Sequence, residues 1–181
     1  MRHLLFVFSL LTVALMGSCS ESRENEASFD AESVKISSTI SNQRILSMTQ
    51  DSLGYIWFAT YRGLNRYNGH EMQQYFCDDT PNGLPDNQVW NVYTDQRGRL
   101  WVATKSGVAY LTDKGDFRKI KVADATKLNK QFAENKKGDL FLLQTDKVLR
   151  YDSVAEFFES IGVPHLTFEK WYKRKILQPN Y

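Results

Sequence analysis

Residues 51–67 read DSLGYIWFATYRGLNRY, and residues 95–111 read DQRGRLWVATKSGVAYL. Six residues recur 44 positions apart: Asp51 with Asp95, Gly54 with Gly98, Trp57 with Trp101, Ala59 with Ala103, Thr60 with Thr104 and Gly63 with Gly107. Each copy is a series of short alternating segments punctuated by turn residues. A period of roughly 40–45 residues built this way marks an array of four-stranded antiparallel units, the blades of a propeller.

Working outward from the first copy, alternation predicts strands at Ile45 to Gln50, Tyr55 to Thr60, Leu64 to Tyr67 and Glu71 to Phe76. Asp51-Ser52-Leu53-Gly54 offers a side-chain acceptor and a glycine for the first turn, and Asn68-Gly69 is a strong hairpin signal. The second copy predicts strands near Val89 to Thr94, Arg99 to Thr104, Val108 to Leu111 and Phe117 to Val122. Upstream, Asn42 matches Asn87 at a spacing of 45, which places a one-residue slip in or before the first strand. A third, worn copy aligns 137–144 with 97–104, putting Phe141 where Trp101 stood. The expected fold is therefore all-β, a partial propeller of two clear blades and one degenerate blade.

The flanks differ in kind. Arg2 and His3 precede an apolar run from Leu4 to Met16, followed by Gly17, Ser18 and Cys19. That run is shorter than the ~20 residues that span a bilayer, so 1–18 reads as a cleaved signal peptide rather than a permanent anchor. Met16-Gly17-Ser18-Cys19 resembles a bacterial lipobox, which makes Cys19 the expected lipidation site and a membrane lipid anchor the expected attachment. Residues 19–39 are polar and acidic and read as a flexible tether. Propeller repeats then occupy 40–152, at about 40–80, 81–123 and 124–152, and Ser153-Val154-Ala155-Glu156 has capping-box spacing for a short helix at the start of 153–181. The end of that last segment mixes Lys170, Lys173, Arg174 and Lys175 with Trp171 and Tyr172.

Composition excludes several functions. A net charge of +2 with no concentrated basic stripe in the repeats argues against nucleic acid. The two cysteines, Cys19 and Cys77, allow a disulfide formally, but acylation of Cys19 would exclude it, and Cys77 reads as a small buried residue in a strand. Asp51 and Asp95 read as turn acceptors, and the three histidines are scattered. No catalytic constellation, metal-ligand spacing or cofactor motif emerges, so the chain reads as a non-enzyme without cofactors.

The segments SNQRILSMTQDSLGYIWFATYRGLNRYNG and NGLPDNQVWNVYTDQRGRLWVATKSGVAYL resemble the two-component regulator propeller repeat, the periplasmic sensor propeller of Bacteroides-type hybrid two-component histidine kinases. Ala59 and Ala103 stand where that pattern has glycine, and Asp86 where it has serine. The resemblance implies an exported, periplasm-facing sensor module for signal transduction, responsive to an oligosaccharide and lacking its own kinase, the N-terminal part of such a sensor. Two alternatives stay open, a truncated remnant without activity and a fragment of a propeller-based carbohydrate-active enzyme. The recurring Trp57, Trp101 and Phe141, with Gly54, Gly98, Gly63 and Gly107, are expected to form the blade core. Trp90, read as lying outside the repeated frame, is the candidate ligand contact. Too few blades to close a ring implies unsatisfied faces, completed by further blades or by self-association.

Overall fold

The computed structural model describes residues 34–123, 130–144 and 147–161, which form 13 strands and no helix. The first blade consists of β2 (Ile45–Gln50), β3 (Ile56–Thr60), β4 (Gly63–Tyr67) and β5 (Met72–Tyr75), paired antiparallel in chain order. A further strand, β1 (Val34–Ser37), pairs antiparallel with the outer edge of β5. The tether expected to reach residue 39 therefore gives up its last residues to the sheet. Their alternation, Val-Lys-Ile-Ser, suits a pleated edge, and β5 otherwise has unpaired backbone groups.

The second blade is β6 (Val89–Thr94), β7 (Leu100–Thr104), β8 (Val108–Leu111) and β9 (Phe117–Val122). The third is β10 (Gln131–Glu134), β11 (Leu140–Leu143), β12 (Val148–Asp152) and β13 (Phe157–Ser160). The outer strands of the last two blades meet in a short parallel pairing, Phe157 with Lys121 and Phe158 with Val122, so that eight strands form one sheet. Its two end strands also touch, because the Phe132 amide donates to Asn91 Oδ1 at 3.1 Å. The first strands of the blades lie side by side: Ser47 Oγ donates to the Val92 carbonyl at 3.2 Å across β2 and β6.

Two sequence expectations fail here for identifiable reasons. No helix starts at Ser153. Asp152 Oδ1 instead accepts the amides of Val154 and Ala155 at 2.8 and 3.0 Å, and Glu156 takes φ 49°, which reverses the chain and which a helix forbids. The third blade thereby gains its outer strand beyond residue 152, and Phe158 is fully buried against Trp101 and Phe132. The one-residue slip is also absent. Asn42 Oδ1 accepts the Arg44 amide and Asp86 Oδ1 accepts the Gln88 amide, while Tyr61 and Lys105 donate to the carbonyls of Arg44 and Gln88. The spacing of 44 thus holds through both repeats, with a bulge at the same place in each, between Ile45 and Ser47 and between Val89 and Asn91. Local identity of Asn-Gln at 42–43 and 87–88 had mimicked a slip.

The core lies between blades. Trp57, Ala59, Leu64 and Tyr75 of the first blade pack on Leu100, Val102 and Ala109 of the second. The opposite side of the second blade, with Trp101, Ala103, Val108 and Ile120, packs on Leu140, Leu142, Leu149 and Phe158 of the third. Period-2 alternation explains this: successive residues of β7 point to opposite neighbours, and the strand is buried throughout.

Candidate functional site

The repeated aspartate organises one end of each of the first two blades. Asp95 Oδ1 accepts the amides of Arg97 and Arg99 at 3.0 and 2.9 Å, closing the turn in which Gly98 takes φ 80°. Asp95 Oδ2 accepts the Trp101 indole N–H at 2.8 Å and the Arg99 Nε–H at 2.8 Å. The Arg99 guanidinium lies 5.0 Å from the Trp101 ring centroid. In the first blade Asp51 repeats the arrangement, with Oδ1 accepting from Leu53 and Tyr55 and Oδ2 from the Trp57 indole at 2.7 Å. In the third blade Asn135 closes the turn through Oδ1, and its Nδ2 donates to Asp139 Oδ2 at 2.8 Å. Phe141 there has no indole N–H, so no second acceptor is required of residue 135.

This geometry shows what the repeated residues do. Trp57 and Trp101 are 1% and 0% exposed, and Phe141 is buried with Ala133, Leu143 and Val148. Around Trp101, Tyr110, Phe132, Tyr151 and Phe158 lie at centroid distances of 4.8–5.9 Å. Each such aromatic pair contributes about 0.5–1.5 kcal/mol beyond its buried area. The second glycine pair is not equivalent in the two blades. Gly63 has φ 107°, and a Cβ there would sit 3.0 Å from the Phe76 ring and the Tyr75 carbonyl. Gly107 has ordinary φ and room, with Pro85 as its nearest neighbour at 3.6 Å.

Trp90 occupies the bulge of β6, the counterpart of Leu46 in β2, and so lies inside the repeated frame rather than outside it. It is half-buried, and its indole N–H is shielded with no hydrogen-bond partner among the described residues. Cys77 lies beyond the end of β5 and outside any strand. Its amide donates to Asn87 Oδ1, and burial pushes its thiol pKa up, which disfavours the thiolate. Cys19 lies outside the described residues. Lys130, which sequence reading passed over, is buried with Nζ donating to the carbonyls of Thr104 and Lys105 at 3.0 and 3.2 Å. Desolvation lowers its pKa, partly offset by Asp86.

At the opposite end of the blades from the aspartate turns, a groove of about 440 Å³ opens on the first blade. Lys35 and Ser37 of β1, the strap residues Thr39 and Ser41, Arg62 of the β3–β4 turn and Gln74 of β5 line it. The strap is pinned by buried polar groups. The Ser41 amide donates to Asn65 Oδ1 at 2.9 Å, Asn65 Nδ2 donates to Ser41 Oγ at 2.8 Å, and Gln74 Nε2 donates to the Thr39 carbonyl at 2.7 Å. Asn65 stands where the second blade has Ala109, so this network belongs to the groove and not to the repeat. A second cavity of about 510 Å³ lies on the outer rim beside β9, lined by Arg118, Lys119, Lys121, Asp116 and Glu156 among others. Among the described residues no group of three or more His, Cys, Asp or Glu side chains is placed to hold a metal.

Comparison with known proteins agrees with this architecture. The fold is similar to an extracellular domain assigned to a hybrid two component system of B. thetaiotaomicron, with TM-score 0.59 and 22% identity over 74% of this chain and 20% of that one. It is similar to virginiamycin B lyase from Staphylococcus aureus, with TM-score 0.56 and 13% identity over 73% of this chain and 46% of that one. An extracellular domain assigned to a one component system of B. thetaiotaomicron aligns with TM-score 0.52 and 20% identity, over 67% of this chain and 19% of that one. The chain thus spans about a fifth of the two sensor domains and under half of the lyase. No curated protein matches it. Residues 39–62 and 83–106 match the family model described as Two component regulator propeller, with the same spacing of 44 that the hydrogen bonds obey. Two of the chain's blades thus carry the two-component regulator propeller repeat, and its fold is similar to sensor domains built from blades of this kind.

Proposed function

We propose that this chain is a ligand-sensing propeller module of a two-component regulatory system, exported and facing the periplasm, where a lipidated Cys19 tethers it to a membrane. It binds a small saccharide without transforming it and leaves phosphoryl transfer to another protein or domain. The observation that carries this reading is the match of both repeats to the regulator propeller family. The extracellular sensor domains with a similar fold support it. The use of the repeated carboxylates supports binding over catalysis. Both oxygens of Asp51 and Asp95 are engaged by turn amides and indole N–H groups. The polar groove on the first blade and the half-buried Trp90 are the surfaces offered to a ligand.

A thermal-shift screen of the purified chain against a broad panel of host and plant oligosaccharides, with chromatography of the recovered saccharides, tests the proposal. A ligand at about a hundred times its Kd should stabilise the fold by about 2.7 kcal/mol. Saturable stabilisation with the saccharide recovered intact is expected. Silence across the panel would favour a remnant. Release of a product would favour the enzyme reading, which the shared fold with virginiamycin B lyase keeps in view.

A further inference from the structure

The groove on the first blade carries positive charge that nothing in its walls balances. Lys35 and Arg62 both line it, none of its lining residues is an acid, and neither cation has an ion-pair partner among the described residues. The outer cavity beside β9 behaves differently. There Arg118 is paired with Glu156, Lys119 Nζ donates to the Thr80 carbonyl at 2.6 Å, and Asp116 adds another negative charge. Two like charges sharing a groove repel each other, and an anion between them removes that cost.

Three further observations single out the groove. Arg62 stands where the second blade has Ser106, so the blade fold does not demand an arginine there. Its backbone is held by the Arg62 amide, which donates at 3.1 Å to Oγ1 of the buried Thr60. The facing strap is held by Asn65 and Gln74, so both walls are set before any ligand arrives, which lowers the ordering cost of binding. At about 440 Å³ the groove lies within the usual range for small-molecule sites, roughly 300–1,000 Å³.

We propose that this groove binds the anionic group of an acidic saccharide, a carboxylate or sulfate on a unit the size of a disaccharide. The Arg62 guanidinium takes the anion in bidentate fashion and the Lys35 ammonium supplies a second charge. The hydroxyls of Ser37 and Thr39, 3.3 Å apart in the same wall, offer further partners for those of the sugar. The inference rests on the sensing role proposed above and adds the chemical class of the ligand.

Calorimetry on the purified chain tests it with digalacturonic acid and a sulfated chondroitin disaccharide as acidic probes, galactobiose as the neutral counterpart, and inorganic sulfate. At least one acidic disaccharide should bind about tenfold or more tightly than galactobiose, and Arg62→Gln should weaken it by about tenfold, as expected for loss of a charge-assisted bidentate contact. Lys35→Gln should weaken it less, and raising salt from about 50 to about 500 mM should lower the affinity, since both cations are exposed. Circular dichroism melts of both variants should overlay the parent. Equal affinity for acidic and neutral disaccharides, or acidic binding unchanged in the Arg62→Gln/Lys35→Gln double variant, overturns the groove assignment and leaves the sensing role standing. Sulfate binding as tightly as the acidic disaccharides overturns the saccharide assignment. No heat with either acidic probe overturns this inference, and the sensing role falls with it only if the wider oligosaccharide panel is silent too.

Discussion

Asp95 closes a turn with one carboxylate oxygen and holds Trp101 with the other, so its loss is felt in two places. Asp95→Ala should lower stability by about 2–4 kcal/mol, the sum of an unmade turn acceptor and a buried indole N–H left unsatisfied. Asp95→Asn keeps the turn, as Asn135 does in the third blade, but turns a donor toward the indole. The pair Asp95→Asn with Trp101→Phe recreates the third blade's Asn135 and Phe141. Denaturant unfolding of both singles and the double should show a favourable coupling of about 0.5–2 kcal/mol. The glycines make a second contrast. Gly63→Ala forces a methyl against Phe76 at φ 107° and should cost more than 1 kcal/mol, on the scale of about 1–3 kcal/mol for such backbone strain, whereas Gly107→Ala should be nearly silent.

Lys130 gives a pH signature at the same scale. Its pKa in the folded chain is lowered, chiefly by desolvation, so between that value and the ordinary lysine value the unfolded chain binds more protons. Stability contributed through this group therefore rises with pH across that window. Below the lowered value the buried charge is a constant cost, which Asp86 and the carbonyls of Thr104 and Lys105 reduce. Lys130→Met should flatten the alkaline rise in denaturation midpoint, and an unchanged pH slope would show that the ammonium is not desolvated.

At the scale of elements, the parallel contact of β13 with β9 binds the third blade to the second at their outer edges. Phe158 anchors it, fully buried against Trp101, Phe132 and Tyr151. Phe158→Ala should cost about 3–5 kcal/mol by the usual penalty for emptying an aromatic core position, and hydrogen exchange should accelerate in β9 as well as β13. Most strands of the first two blades were legible in the sequence because alternation and turn residues act locally: Ile45 to Gln50, Val89 to Thr94 and Phe117 to Val122 have the bounds that periodicity gives. What was hidden depended on distant partners. Ser153 to Glu156 has helix-start spacing, and only the pairing of Phe158 with Tyr151 decides for a strand. Likewise β1 is a short polar-apolar alternation within an acidic stretch, visible as a strand only once β5 offers an edge. The groove was illegible for the same reason, since Lys35, Arg62 and Gln74 converge through sheet register, not sequence spacing. At the site, Asp51 and Asp95 as turn acceptors and Trp57 and Trp101 as core were legible from their recurrence, and the joint replacement of Asp and Trp by Asn and Phe at 135 and 141 was a further signal within reach.

For the whole molecule, the face of the first blade turned away from the second carries Met48 at 63% exposure, with Ile56, Phe58 and Met72 partly exposed on the same side. By the repeat, Ile56 and Phe58 correspond to Leu100 and Val102, which in the second blade receive the Trp57 face. The same surface in the first blade has no such cover among the described residues. Concentration-dependent self-association in sedimentation velocity is the expected consequence, and Met48→Lys should reduce it without lowering the melting temperature. A chain that stays monomeric at every concentration would show that this face is covered.

The sensing role is the central functional claim, and isothermal titration of the intact chain with saccharides tests it most directly. The account predicts injection heats that decay to saturation near one ligand per chain, with the ligand recovered unchanged. Heat flow that persists between injections, the mark of turnover, or flat traces across both neutral and acidic saccharides, would contradict it.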